Sequence, residues 1–215
     1  MSADYIPALR YRCLTPAYDS VLRLTTRETT FKAALVRQAL AAPGRRCLDV
    51  GSGTGTLSIS LKLAAPSLDV VGVDADPGII ARARHKAAGR GVAVRFDQAL
   101  AFSLPYADGE FDRVVSSLFF HHLTWEDKVR TATELFRVLA PGGELHLADW
   151  GRPSGPLMRV LFLTVQMLDG FATTRDHARG RLPELLHDAG FSAVLETERF
   201  ATPCGTLSLF RALRP

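Results

Sequence analysis

RCLDVGSGTGTLSISLKLA, residues 46–64, decides the fold. RRCLDVG (45–51) reads as a short buried strand and TGTLSISLKLA (54–64) as a helix. Across their junction Gly51, Gly53 and Gly55 are separated by single residues. A strand that feeds a glycine turn and then a helix is the opening unit of a doubly wound α/β sheet.

Outward from that turn the pattern repeats. LDVVGVDAD (68–76) is a second strand and PGIIARARHKAAG (77–89) a second helix, with proline at its start and Gly89 as its stop. VAVRFDQ (92–98) and FDRVVSS (111–117) are the third and fourth strands, followed by the helix EDKVRTATELFRVL (126–139) and the strand GGELHLADW (142–150). Strands alternating with helices imply a parallel sheet covered on both faces and joined by right-handed crossovers. The end departs from this. After a helix at 181–189 closed by Gly190, the runs SAVLETERFAT (192–202) and GTLSLFRALR (205–214) are joined by a turn at Pro203-Cys204-Gly205. That is a hairpin, so one strand runs antiparallel to the rest. At the other end, Phe31, Leu35 and Leu40 recur at helical spacing before Pro43-Gly44.

A chain of 215 residues, 47% hydrophobic and 22% charged, suits one globular domain. It divides into a helical cap (1–43), a ligand-binding core (45–150), a covering segment (151–180) and a closing helix and hairpin (181–215). The net charge of +4 comes from scattered arginines, and the densest cluster, Arg82, Arg84, His85, Lys86 and Arg90, fits one solvated helix face. A nucleic acid partner is therefore not expected. Cys13, Cys47 and Cys204 have no metal-ligand spacing, so no metal site is expected, and they read as reduced thiols of a cytoplasmic protein. The N-terminus lacks the apolar core of a signal peptide. The apolar run Leu157–Leu168 is broken by Arg159 and Gln166 and is shorter than the roughly 20 residues a bilayer requires, so no membrane insertion is expected.

The spacing of the turn bears on the ligand. A dinucleotide fingerprint, G-x-G-x-x-G, would need a third glycine at Thr56; here it falls at Gly55. Asp49, two residues before the first glycine, would repel a pyrophosphate but accept from an amino group. The helix beginning near Thr54 offers free N–H groups to a carboxylate. Asp74, 23 residues after Gly51, ends the second strand where an acidic side chain accepts ribose hydroxyls. Asp76, followed by Pro77, reads as a helix cap.

With LDVGSGTGTLSI, VVGVDADPGII, SLPYADGEFDRVVSSLFFHHL and LFRVLAPGGELHLADW in hand, the chain resembles the class I S-adenosylmethionine-dependent methyltransferases, over about residues 45–150. It looks most like the ubiquinone/menaquinone biosynthesis C-methyltransferases and related small-molecule enzymes. The resemblance implies a seven-stranded, mostly parallel sheet of order 3-2-1-4-5-7-6. It implies that S-adenosylmethionine is held by Asp49, Gly51, Ser52 and Gly53 at its methionine end, and by Asp74 and Ala75 at ribose and adenine. Ser116 and Ser117 would line the sulfonium through their backbone, and Tyr18 would help close the N-terminal helix over the cofactor. Many relatives carry an acidic residue at the position of Leu100 that accepts from the adenine amino group. Here Ala99-Leu100-Ala101 stands there, so Gln98 and Ala99 are the candidate lining residues, with Asp97 behind them.

Methyl transfer from a sulfonium is an in-line displacement, helped by a base when the nucleophile is a hydroxyl or a weakly acidic carbon. His121 and His122, just past the fourth strand, are the candidate bases, with a structural role for either as the competing reading. His146, between Leu145 and Leu147, reads as structural. The run Ala148–Arg152 borders the expected substrate pocket, where Asp149 could equally be a capping carboxylate. His121, Trp150, Met158 and Phe162 are the expected pocket residues, and the apolar stretch 156–171 suits a hydrophobic or aromatic acceptor. A monomer or a homodimer is expected. The competing functions are a non-catalytic nucleoside-binding scaffold and an NAD-dependent oxidoreductase.

Overall fold

The structure is a computed structural model that describes residues 27–42 and 44–215. Its strands are β1 (Arg46–Val50), β2 (Asp69–Asp74), β3 (Arg95–Gln98), β4 (Phe111–Ser117), β5 (Leu139–Trp150), β6 (Ser192–Thr202) and β7 (Gly205–Leu213). They form one sheet of order β3-β2-β1-β4-β5-β7-β6. β1 to β5 pair in parallel, and β7 is antiparallel to both β5 and β6. The helices among the described residues are α1 (Glu28–Ala39), α2 (Thr56–Ala64), α3 (Pro77–Gly89), α4 (Trp125–Val138), α5 (Pro156–Asp169), α6 (Phe171–Arg179) and α7 (Leu182–Asp188). Tyr18 and Cys13 lie outside the described residues.

Alternate residues along each central strand serve opposite faces of the sheet. Leu48, Val50, Val114, Leu145 and Leu147 enter a core with Leu135 of α4 and Leu185 of α7. Cys47, Val70, Val115, Ala148 and Trp150 enter a second core with Phe31 of α1, Leu57 of α2 and Phe162 of α5. His146 is fully buried, with Nδ1 3.1 Å from Gln38 of α1 and Nε2 3.0 Å from Glu144, which ties α1 to the sheet.

The boundaries differ from the sequence reading in places with local causes. α2 begins at Thr56 rather than Thr54, because Gly53 and Gly55 both take left-handed conformations, φ 53° and 73°, that a helix cannot include. Gly89 is the last residue of α3 rather than its stop. β3 is limited to residues that find partners in β2, starting at Arg95 opposite Val71. β5 starts at Leu139, immediately after α4, because Leu139 already pairs with Phe111. Asp76 does cap α3, accepting from Gly78 N at 2.7 Å and Ile79 N at 3.2 Å.

Successive parallel crossovers run outward from β1 to β3, then return to place β4 on the other side of β1. The strand order thus switches direction between β1 and β4, and in such sheets a crevice opens there at the strands' carboxyl ends. β1, β2, β4 and β5 all end around it.

Candidate active site

Gly51, Gly53 and Gly55 are all left-handed, with φ between 53° and 73°. They do different work. A Cβ at Gly51 would lie 2.3 Å from the Phe119 ring, and one at Gly55 2.6 Å from the Phe96 ring. At Gly53 nothing stands within 4 Å of that position. Gly51 and Gly55 therefore admit aromatic rings, while Gly53 leaves open space for a ligand.

The turn is held from β2. Ser52 N donates to Val73 O at 3.0 Å and Gly53 N to Asp74 Oδ2 at 2.9 Å, while Asp74 Oδ1 accepts from Asp76 N at 3.1 Å. Burial pushes the Asp74 carboxyl above its ordinary range, against the pull of these N–H groups. Beside it a narrow cavity of about 50 Å³ runs between Val73–Ala75 and Ala99–Phe102, closed by Phe119 and Leu123. Its walls are apolar but for Asp74. That volume holds only a few waters.

Asp49, 1% exposed, accepts from Ser58 Oγ at 2.5 Å through Oδ2, while its Oδ1 has no hydrogen-bond partner. Burial raises its pKa to about 6, against the opposing effect of the Ser58 hydrogen bond. The Ser52 hydroxyl, in the same turn, is also buried without a partner. Buried polar atoms are rarely left so. An ammonium group meets the need of the bare carboxylate oxygen, and the open face of Gly53 admits the chain that carries it. These residues fit the amino-acid end of S-adenosylmethionine.

The other expected cofactor residues are placed less directly. Ser116 is buried and donates through Oγ to Val50 O at 2.7 Å; Ser117, one step on, is half-buried. Ala75 and Ala99 flank the cavity. Gln98 is exposed and donates to Ala75 O at 3.1 Å, bracing the strand end beside the cavity. Asp97 is turned to Arg95 and to the Tyr106 hydroxyl, 3.0 Å away, and the Arg95 hydrogen bond holds its carboxyl below the ordinary range.

Past β4, Leu118 adopts φ 52°, unusual for a branched residue, and re-aims the chain so that Phe120–His122 make a 3-10 turn. Asp149 anchors that turn. It is 2% exposed and accepts from Phe119 N (3.1 Å), Phe120 N (2.8 Å) and His121 Nδ1 (2.7 Å), and from Trp150 N (2.7 Å). Burial opposes the charge on Asp149, but His121 and His177 outweigh it and hold the carboxyl far below the ordinary range. In return Asp149 outweighs the burial of His121 and keeps that imidazole above its ordinary pKa. His122 is pushed well down, first by burial and then by the charge of His121. With Nδ1–H given to Asp149, His121 turns Nε2 toward Asp169 Oδ2, 3.7 Å away, at ion-pair distance without a hydrogen bond.

Trp150 and Phe162 are buried against each other, ring centres 5.7 Å apart, and His121 meets the Trp150 ring edge-on at 6.3 Å. Met158 is half-buried on α5. Sequence reasoning did not single out Asp169, His177 or Phe119. Asp169 and His177 reach the site from α5 and α6, which no motif marks; Phe119 sits in the quoted FFHHL run, and only the packing on Gly51 distinguishes it.

The topology and the crevice define a class I methyltransferase fold. The methyltransferase domain family matches residues 47–143. A demethylmenaquinone methyltransferase of Thermus thermophilus is 38% identical over 178 residues, covering 80% of each chain. One of Deinococcus radiodurans is 34% identical over 154 residues, covering 71% of this chain and 63% of its own. The solved structure of the S-adenosylmethionine-dependent methyltransferase SibL superposes with a TM-score of 0.71 at 25% identity, over 86% of this chain and 54% of its own. The chain belongs to the class I S-adenosylmethionine-dependent methyltransferases, and it is a methyltransferase acting on a small molecule. No helix among the described residues is long and apolar enough to cross a membrane.

Proposed function

We propose that this protein methylates a hydroxylated aromatic acceptor of the quinol type, with S-adenosylmethionine bound across the ends of β1 and β2 and the acceptor beside His121. The bare Oδ1 of buried Asp49 carries the cofactor part of this reading. S-adenosylmethionine supplies a methyl group already activated by its sulfonium. Asp49 holds the amino group, Asp74 the ribose hydroxyls, and the apolar slot at Ala99–Phe102 the adenine ring, with Phe119 or Leu123 giving way to admit it.

The acceptor part draws on the two relatives named above, whose names place a demethylated menaquinone as their substrate. Met158 is half-buried on that side, and the Trp150–Phe162 pair packs behind His121 as core and does not present a surface of its own. The acceptor's proton passes to His121 Nε2, the ring nitrogen that the Nδ1 hydrogen bond to Asp149 leaves able to accept it. Closure of the site excludes water from the nucleophile and keeps it in line with the methyl group.

Calorimetry with S-adenosylhomocysteine tests the cofactor site: binding with a micromolar dissociation constant is expected, and no binding at hundred-micromolar ligand would sink the reading. Turnover of a short-chain demethylmenaquinol tests the acceptor. His121→Ala with undiminished turnover would remove His121 from the chemistry.

A further inference from the structure

His121 and His122 sit on the 3-10 turn after β4, and Asp169 closes α5. They are distant in sequence and face one another in space. His121 Nε2 lies 3.7 Å from Asp169 Oδ2, His122 Nδ1 lies 3.8 Å from Asp169 Oδ1, and the two imidazole centres are 4.0 Å apart. One ligand atom from each of the three lies within 4.8 Å of the others. Their side chains are only 5%, 21% and 15% exposed. Among the described residues, no hydrogen bond reaches His121 Nε2, either nitrogen of His122 or the Asp169 carboxylate. The two imidazoles face the carboxylate at ion-pair distances too long for direct hydrogen bonds, which leaves room for a cation between them.

We propose that His121, His122 and Asp169 form a divalent transition-metal site, best suited to Zn(II). Two imidazoles and a carboxylate are ligands of borderline softness that such ions prefer. Metal–ligand bonds of about 2.0–2.2 Å set ligands roughly 3–4 Å apart, so small side-chain rotations close the site. Asp149 already supplies the outer support such sites use, because its bond to Nδ1 turns the Nε2 lone pair of His121 toward Asp169. Three protein ligands leave coordination positions open, which is the pattern of a reactive ion rather than a structural one.

The site deepens the acceptor reading and rests on it for its role. His121, His122 and Asp169 would hold the cation, and its charge would ease loss of the proton of an acceptor hydroxyl to water before the site closes, the O–H bonding pair staying on the oxygen. With the cation bound, His121 promotes proton loss as a ligand rather than as the proton's carrier. The substrate class narrows to acceptors with a hydroxyl on or next to the methylated atom.

Calorimetric titration of the tag-free chain with zinc chloride is the test, paired with Co(II) absorption of the wild type, which needs no variant. One Zn(II) per chain and visible Co(II) bands from nitrogen ligation are expected. His122→Ala and Asp169→Asn should each weaken zinc binding by at least about tenfold, the loss typical when even an outer partner is removed. Both variants should bind S-adenosylhomocysteine within twofold of wild type, which shows that they fold. No stoichiometric zinc uptake at hundred-micromolar metal, no Co(II) bands, or uptake that neither substitution weakens would overturn the site. Wild-type binding of S-adenosylhomocysteine in that event would leave the methyl-transfer reading standing.

Discussion

Asp49 at the end of β1 and Asp149 at the end of β5 are buried alike, 1% and 2% exposed, and the protein treats them oppositely. Asp149 accepts from three backbone N–H groups and an imidazole and is held ionised. Asp49 accepts from one hydroxyl, keeps an oxygen bare, and titrates near 6. A carboxylate that the fold itself satisfies belongs to the architecture. One that the fold leaves short is poised for something arriving from outside.

The largest expected effect falls on the satisfied partner. Asp149→Ala strips the acceptor from Phe119 N, Phe120 N, Trp150 N and His121 and should cost about 3–5 kcal/mol in urea unfolding. A loss under about 1 kcal/mol would break the contrast. Because its carboxyl is depressed in the fold, the stability Asp149 contributes is present above the unfolded pKa of about 3.9 and fades as pH falls below it.

Asp49→Asn should act in two directions. Removing a charged acceptor from the cofactor's amino group should weaken S-adenosylhomocysteine binding about 10–100-fold. The free protein should gain stability at neutral pH, up to about 3 kcal/mol for a shift of about two units. The sign follows from the raised pKa: the buried group favours its protonated form, so stability is lost as pH rises from the unfolded value through 6, and asparagine avoids that loss. A variant that is destabilised and still binds normally would make Asp49 an architectural residue like Asp149.

A pH series sharpens the same point. Wild-type affinity for S-adenosylhomocysteine should fall by nearly tenfold per pH unit below about 6 as Asp49 takes up its proton, and the Asp49→Asn profile should be flat there.

The smallest effect separates two glycines of one turn. Gly55→Ala meets Phe96 at 2.6 Å and should lower stability by more than about 2 kcal/mol. Gly53→Ala, with open space around it, should cost only the roughly 1–2 kcal/mol of its left-handed backbone while disturbing cofactor affinity. Equal losses in both would erase the division of labour.

Much of the fold was legible in the chain. β4, β6 and α3 fall at the residues read for them from the sequence, and β1 lies within one residue of its reading at each end. The terminal hairpin was visible because a short turn allows nothing else. α6 was not read, since Phe171–Arg179 carries two threonines and a weak apolar stripe. Asp49 and Asp74 were singled out by their distance to the glycines, and the structure sets both at strand ends beside the turn. The cluster at His121 was only half so: the histidines are adjacent in sequence, but Asp169 arrives through the packing of α5, and cysteine spacing alone gave no hint of metal chemistry.

Phe119 on Gly51 and Phe96 against Gly55 carry a consequence for how such chains drift. Two of the three glycines are required by rings that sit on them whether or not a cofactor ever enters. A descendant that abandoned catalysis would be under continuing pressure to keep Gly51 and Gly55, and would still display most of the turn. On the proposed cofactor reading, loss of function would be written first at Gly53 and at the unsatisfied oxygen of Asp49, where asparagine is expected to stabilise the idle protein.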